Sequence, residues 1–126
     1  MKYATLLVSV LIIIAVLMPG SNLPDVNIGG FDKLIHFGMF AVWAIAVRFD
    51  FGTKLFPWIL VIVTGLLFSG LTEVLQLVVE GRSFDFYDMA ADALGLMAGL
   101  AVSGPVVRQL KKVTQKNNAG PTRPQE

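Results

Sequence analysis

Apolar residues fall into four blocks separated by short polar breaks, and each block is read against the roughly 20 residues a helix needs to cross about 30 Å of hydrocarbon. Tyr3 to Met18 carries no charge and stops at the helix-breaking pair Pro19-Gly20. Phe31 to Val47 holds Asp32, Lys33 and His36 in its first two turns and is clean afterwards. Leu55 to Val79 is long enough to span with tilt and carries Glu73 and Gln76 near one end. Phe86 to Val107 opens with Asp88 and Asp92 and is uncharged from Ala93 onward. The pattern predicts an all-α protein, a four-helix transmembrane bundle occupying residues 1–113. The polar, Pro-containing stretch 114–126 reads as a disordered basic tail. Arg48, Asp50, Lys54 and Glu80 read as loop residues.

Composition agrees with lipid as the solvent. The chain has 126 residues, 55% hydrophobic and only 15% charged, with mean hydropathy +0.69, against about a quarter charged in soluble domains. The connecting loops leave no room for a folded soluble domain. No cysteine is present, which removes disulfides, thiolate nucleophiles and cysteine-based zinc sites. Lys2 followed by an apolar run resembles the start of a signal peptide, but Met18-Pro19-Gly20 offers no Ala-x-Ala cleavage site, and a retained first helix is expected.

Orientation follows from the basic residues. With a cytoplasmic N-terminus, the inner side collects Lys2, Arg48, Lys54, Arg108, Lys111, Lys112, Lys116 and Arg123, and the outer side keeps only Lys33 and Arg82. Both termini are then cytoplasmic, with outward loops from Pro19 to Phe31 and from Glu80 to Asp88. The basic tail fits topology and attraction to an anionic inner leaflet, and nucleic acid is not an expected partner.

In this arrangement Asp32, Lys33, His36, Glu73, Gln76, Arg82, Asp88 and Asp92 all reach the outward ends of their segments. Ionisable groups in a span cost a few kcal/mol each at the bilayer centre, so they are buried in the bundle, paired, or functional. Asp32 and His36 share a helix face at i, i+4, as do Glu73 and Gln76 at i, i+3. Asp88, Asp92, Gly95 and Gly99 form one stripe, whose GxxxG step predicts close packing against the third helix and its Gly65/Ser69 pair. Plain structural roles stand beside the functional ones. Asp85 and Asp88 suit a helix N-terminus, Asp32 can cap the second helix, Lys33 and Arg82 can anchor at an interface, and His36 can be a packed, hydrogen-bonded residue.

The segments Asp32-Lys33-Leu34-Ile35-His36-Phe37, Glu73-Val74-Leu75-Gln76, Gly81-Arg82-Ser83-Phe84-Asp85 and Asp88-Met89-Ala90-Ala91-Asp92-Ala93-Leu94-Gly95 with Gly99 together resemble the VanZ-like family of small bacterial integral membrane proteins. Their order matches the pattern D-K-x-x-H-F, E-x-x-Q, R-S and D-x-x-x-N-x-x-G-x-x-x-G over roughly residues 30 to 100. Asp92 departs from it, standing where the family usually has Asn and adding an acid. The resemblance implies a bacterial cytoplasmic membrane address and an association with resistance to the glycopeptide teicoplanin.

Three functions fit these residues. A binding or accessory protein would hold a lipid headgroup or cell-envelope intermediate, with Lys33 and Arg82 on a phosphate and Glu73, Gln76 and Asp92 on hydroxyls or amines. A hydrolase or transferase acting on lipid phosphates would use His36 as acid and base, with Glu73, Asp88 and Asp92 carrying protons or holding Mg2+ or Mn2+. No P-loop, HExxH or nucleophile motif is present to support it. A structural or accessory subunit would use the polar cluster to lock its helices. The expected partners are membrane lipids, an envelope intermediate or another membrane protein.

Overall fold

The computed structural model describes residues 2–19 and 30–120. They form four helices, α1 (Ala4–Val16), α2 (Phe31–Leu55), α3 (Trp58–Gln76) and α4 (Phe86–Asn118), with no strand among the described residues. The expected all-α, four-helix architecture is borne out. Helices α2, α3 and α4 are long and apolar enough to cross a membrane. Helix α1 has 13 residues and is therefore about 20 Å long, short of the roughly 30 Å of a hydrocarbon core. Three of the four expected membrane helices thus reach spanning length by themselves, and α1 is a shorter apolar helix. The loop expected between Pro19 and Phe31 and the last part of the tail, with Arg123, fall largely outside the described residues.

Helix boundaries move for identifiable reasons. Helix α2 continues past Val47 to Leu55, with a break at Gly52 (φ 70°), a backbone angle that glycine tolerates without strain. Arg48, Asp50 and Lys54 are accordingly helical, not loop residues. Each of the first two has a partner: Arg48 Nη1 donates to the Phe56 carbonyl at 3.0 Å. Asp50, 8% exposed, accepts from the α1 backbone at Ala4 N (3.3 Å) and Thr5 N (2.7 Å). A carboxylate on α2 thus satisfies the open N–H groups at the start of α1. Helix α3 begins at Trp58 rather than Leu55 because Pro57 forces Phe56 out of the helical region, to φ −130°, ψ 82°. Helix α4 runs through Val107 to Asn118, into the stretch expected to be disordered. Gln and Lys favour a helix there, and it ends at Ala119-Gly120.

Residue pairings set the helix directions. Ala4 and Thr5 meet Asp50, and the Trp43 indole N–H donates to Ser9 Oγ at 2.9 Å, so α1 lies antiparallel to α2. On the other side of α2, Gly95 lies on the Phe37 backbone and Gly99 on the Ala41 backbone, so α2 and α4 run parallel in matched four-residue steps. A Cβ on either glycine would overlap the facing carbonyl oxygen. The GxxxG step therefore packs against α2, which corrects its expected pairing with α3. The Gly65/Ser69 pair of α3 does face α4, with Gly65 making room for the Leu96 side chain and Ser69 bonded to Asp92.

The core is small. Ile12 and Val16 of α1, Phe40, Trp43, Ala44 and Val47 of α2, Val61 of α3 and Leu96 of α4 form it, with Phe68 tilted against Phe40 and Trp43 at ring separations of 5.7 and 5.8 Å. Leu6, Leu67, Met97 and Val102 face outward, the inverse of a soluble surface and the expected state of helices solvated by acyl chains.

Candidate functional site

At the end of the bundle where α2 and α4 begin and α3 ends, the polar residues converge. His36, Glu73, Gln76, Asp88 and Asp92 are all buried, with Glu73 and Asp92 at 0% exposure. Their positions follow from the helix directions. Parallel α2 and α4 bring His36 level with Asp92 and Lys33 level with Asp88, and the antiparallel return of α3 delivers Glu73 and Gln76 to the same level.

His36 is the hub. Its Nδ1 lies 3.0 Å from Asp92 Oδ1 and its Nε2 3.7 Å from Asp88 Oδ2. An ionised carboxylate only accepts, so the imidazole N–H at Nδ1 donates to Asp92 and Nε2 is turned toward Asp88. Ser69 Oγ donates to the other Asp92 oxygen at 2.6 Å, and Thr72 Oγ1 donates to the Ser69 carbonyl at 2.7 Å. Ser69 reads in the sequence only as a small packing residue; its role as a donor needed a partner 23 positions away. The extra acid at Asp92 is thus held on both oxygens.

The cations are engaged. Lys33 Nζ lies 3.1 Å from Asp85 Oδ2 and 3.2 Å from Asp88 Oδ1, and Arg82 Nη1 lies 3.7 Å from Asp32 Oδ1. Asp32 sits in the first turn of α2, whose N-cap is Gly30, so it pairs with Arg82 rather than capping. Asp85 is the N-cap of α4, accepting from Tyr87 N at 2.8 Å, as its position suggested. The Tyr87 N–H, and after it the Lys33 ammonium, hold the Asp85 carboxyl below its ordinary range. The Asp85 N–H in turn donates to Glu73 Oε2 at 3.0 Å, tying the loop after α3 back to α3.

Among the described residues, three atoms in this layer are buried without a hydrogen-bond partner, Glu73 Oε1, Gln76 Nε2 and Arg82 Nε. Gln76 and Arg82, with Asp32 and His36, line a cavity of about 200 Å³ whose remaining walls include Val16 and Met39. Next to it, an apolar groove of about 480 Å³ runs between α1 and α2 along Val8, Ile12 and Val42. Ala15, Ile35 and Met39 belong to both, so the cavity, mostly apolar but carrying Asp32, His36, Gln76 and Arg82, and the groove lie side by side. A larger groove of about 650 Å³ between α3 and α4 is lined by Ile62, Leu66 and Met97, with Arg48 as its one charged residue. It offers packing surface without convergent polar groups.

All eight residues singled out from the sequence therefore lie in one layer. Lys33 faces Asp85 and Asp88 rather than the cavity, while Asp32, His36, Gln76 and Arg82 line it. No curated protein and no solved structure matches the chain. A family model described as VanZ/LLP1 matches residues 3–107, covering α1, α2, α3 and the membrane part of α4, and the chain therefore belongs to the VanZ/LLP1 family.

Proposed function

We propose that this VanZ/LLP1 membrane protein binds the headgroup of a membrane lipid or of a lipid-linked cell-envelope intermediate. The observation that carries this reading is the adjacency of the cavity that holds Asp32, His36, Gln76 and Arg82 to the apolar groove between α1 and α2, the two sharing Ala15, Ile35 and Met39. Such a site matches an amphiphile. The headgroup lies against Asp32, His36, Gln76 and Arg82, and one acyl or prenyl chain follows Ile35 and Met39 into the groove. Gln76 Nε2 and Arg82 Nε, buried and without partners, favour a headgroup rich in acceptor oxygens, because each unmet buried donor costs about 1–3 kcal/mol. Family membership supports a bacterial cytoplasmic membrane address, and the distribution of Lys and Arg supports both termini inside with the cavity at the outer leaflet. Altered sensitivity to teicoplanin is the phenotype that family membership makes worth measuring.

The test is lipid retention by native mass spectrometry on protein released from detergent. Met39→Trp fills the wall shared by cavity and groove, and Gln76→Leu removes the buried amide. Both are expected to lose at least about tenfold of the bound lipid, a change of roughly 1.4 kcal/mol in affinity, while keeping their helical circular dichroism. Wild-type lipid content in both variants would refute the reading. If the cluster serves only as helix glue, Gln76→Leu instead lowers the melting temperature and leaves lipid retention unchanged.

The Asp92–His36 pair favours a second reading, a hydrolase or transferase on lipid phosphates. A carboxylate that fixes the imidazole tautomer is the arrangement general acid–base catalysis uses. It requires His36-dependent release of phosphate from a lipid phosphate by the purified protein. Absence of turnover with or without Mg2+ or Mn2+ removes it.

A further inference from the structure

Counting charge in the polar layer leaves a remainder. Five carboxylates, Asp32, Glu73, Asp85, Asp88 and Asp92, share the layer with two cations, Lys33 and Arg82. Lys33 pairs with Asp85 and Asp88, and Arg82 with Asp32. Among the described residues, the two carboxylates with no lysine or arginine partner are Glu73 and Asp92, which are also the two at 0% exposure. His36 alone faces them, and even a charged imidazolium balances only one. Burying an uncompensated carboxylate costs several kcal/mol.

His36, Glu73 and Asp92 each place one ligand-capable atom within 4.8 Å of the others. From this grouping and the unpartnered, buried Glu73 oxygen we infer that these three residues hold a divalent cation. Two carboxylates and a neutral imidazole make the bound set electrically neutral, the condition that burial demands. Asp92 keeps spare lone pairs on both oxygens while accepting from Ser69. The atom of His36 that lies beside Asp92 is Nδ1, at 3.0 Å, so a cation in the trio would take the Nδ1 lone pair in place of the proton shared with Asp92, leaving the Nε2–H turned toward Asp88. Mixed carboxylate and imidazole ligands favour Mn2+ over Ca2+, which takes all-oxygen sites, and over Zn2+, whose structural sites are rich in His and Cys. The second grouping, Asp32, His36 and Asp88, is served by Arg82 and Lys33 and has no such remainder. The cation site stands apart from the lipid reading, because it is read without added lipid ligand.

The experiment is Mn2+ titration of the full chain in phosphatidylcholine nanodiscs, followed by electron paramagnetic resonance. One Mn2+ per chain is expected, with binding at least about tenfold weaker in Glu73→Gln and unchanged in Asp85→Asn, which alters a carboxylate outside the trio. Because a misfolded variant would also lose the ion, the wild-type protein supplies a second readout. Spin-echo modulation from a single imidazole nitrogen is expected, as His36 is the only histidine. Wild-type Mn2+ affinity in Glu73→Gln, absence of stoichiometric binding, or Mn2+ bound without nitrogen coupling would each overturn the assignment.

Discussion

The most exacting test of this architecture is Gly95→Ala, because it strikes the contact that sets the spacing of α2 and α4 and, through it, the His36–Asp92 bond. A Cβ at position 95 would overlap the Phe37 carbonyl oxygen and lie 3.1 Å from Phe37 Cα. These are backbone atoms and have no rotamer to adopt, so relief requires the helices to part by about 1 Å. Overpacking of this kind costs about 1–3 kcal/mol, and the backbone contact puts it at the upper end. Alanine's better helix propensity returns about 1 kcal/mol, leaving a net loss of about 2 kcal/mol and a melting temperature lower by roughly 5–10 °C. Gly99→Ala meets the Ala41 backbone in the same way and should behave alike. Gly38→Ala on α2, where an added Cβ meets nothing within 4 Å, is the control and should be neutral or slightly stabilising. The site reports the same displacement. Parting by 1 Å stretches the 3.0 Å His36–Asp92 contact beyond hydrogen-bonding range, and the Nδ1–H resonance of the single histidine moves upfield. If Gly95→Ala melts with Gly38→Ala and the imidazole resonance stays in place, the close parallel approach of α2 and α4 is wrong.

Two further outcomes follow from contacts outside that interface. Asp50→Ala removes both acceptors at the start of α1 (2.7 and 3.3 Å), a loss of about 1–3 kcal/mol. Hydrogen exchange of the α1 amides should accelerate by roughly tenfold to a hundredfold with α2–α4 unaffected, and uniform protection across α1 would contradict the cap. Asp85, held below the ordinary aspartate value of about 3.9 by Tyr87 N–H and then Lys33, stabilises the folded state fully above that value. The contribution is lost as pH falls below it through the depressed value. Asp85→Asn retains the cap but not the charge, so it should flatten the acid limb of the melting curve, and an identical limb in both proteins would count against this pairing.

The sequence by itself determined the solvent and the level at which the chemistry gathers. Long apolar blocks can only be solvated by lipid, and charges confined to the ends of Phe31–Val47, Leu55–Val79 and Phe86–Val107 must emerge at one side once consecutive helices reverse direction. That is why Asp32, Lys33, His36, Glu73, Gln76, Arg82, Asp88 and Asp92 group together on the sequence pattern alone. Tertiary structure alone decided who touches whom. Asp50 reads as a loop residue until the start of α1 folds back onto it, and Ser69 reads as a spacer until α4 sets Asp92 against it. Gly95 and Gly99 announce a close approach without naming the partner, since a bare backbone fits any helix; the choice of α2 follows from the parallel register that also aligns His36 with Asp92. Local spacing repeats within one helix, whereas pairing between helices depends on crossing geometry that no single segment encodes.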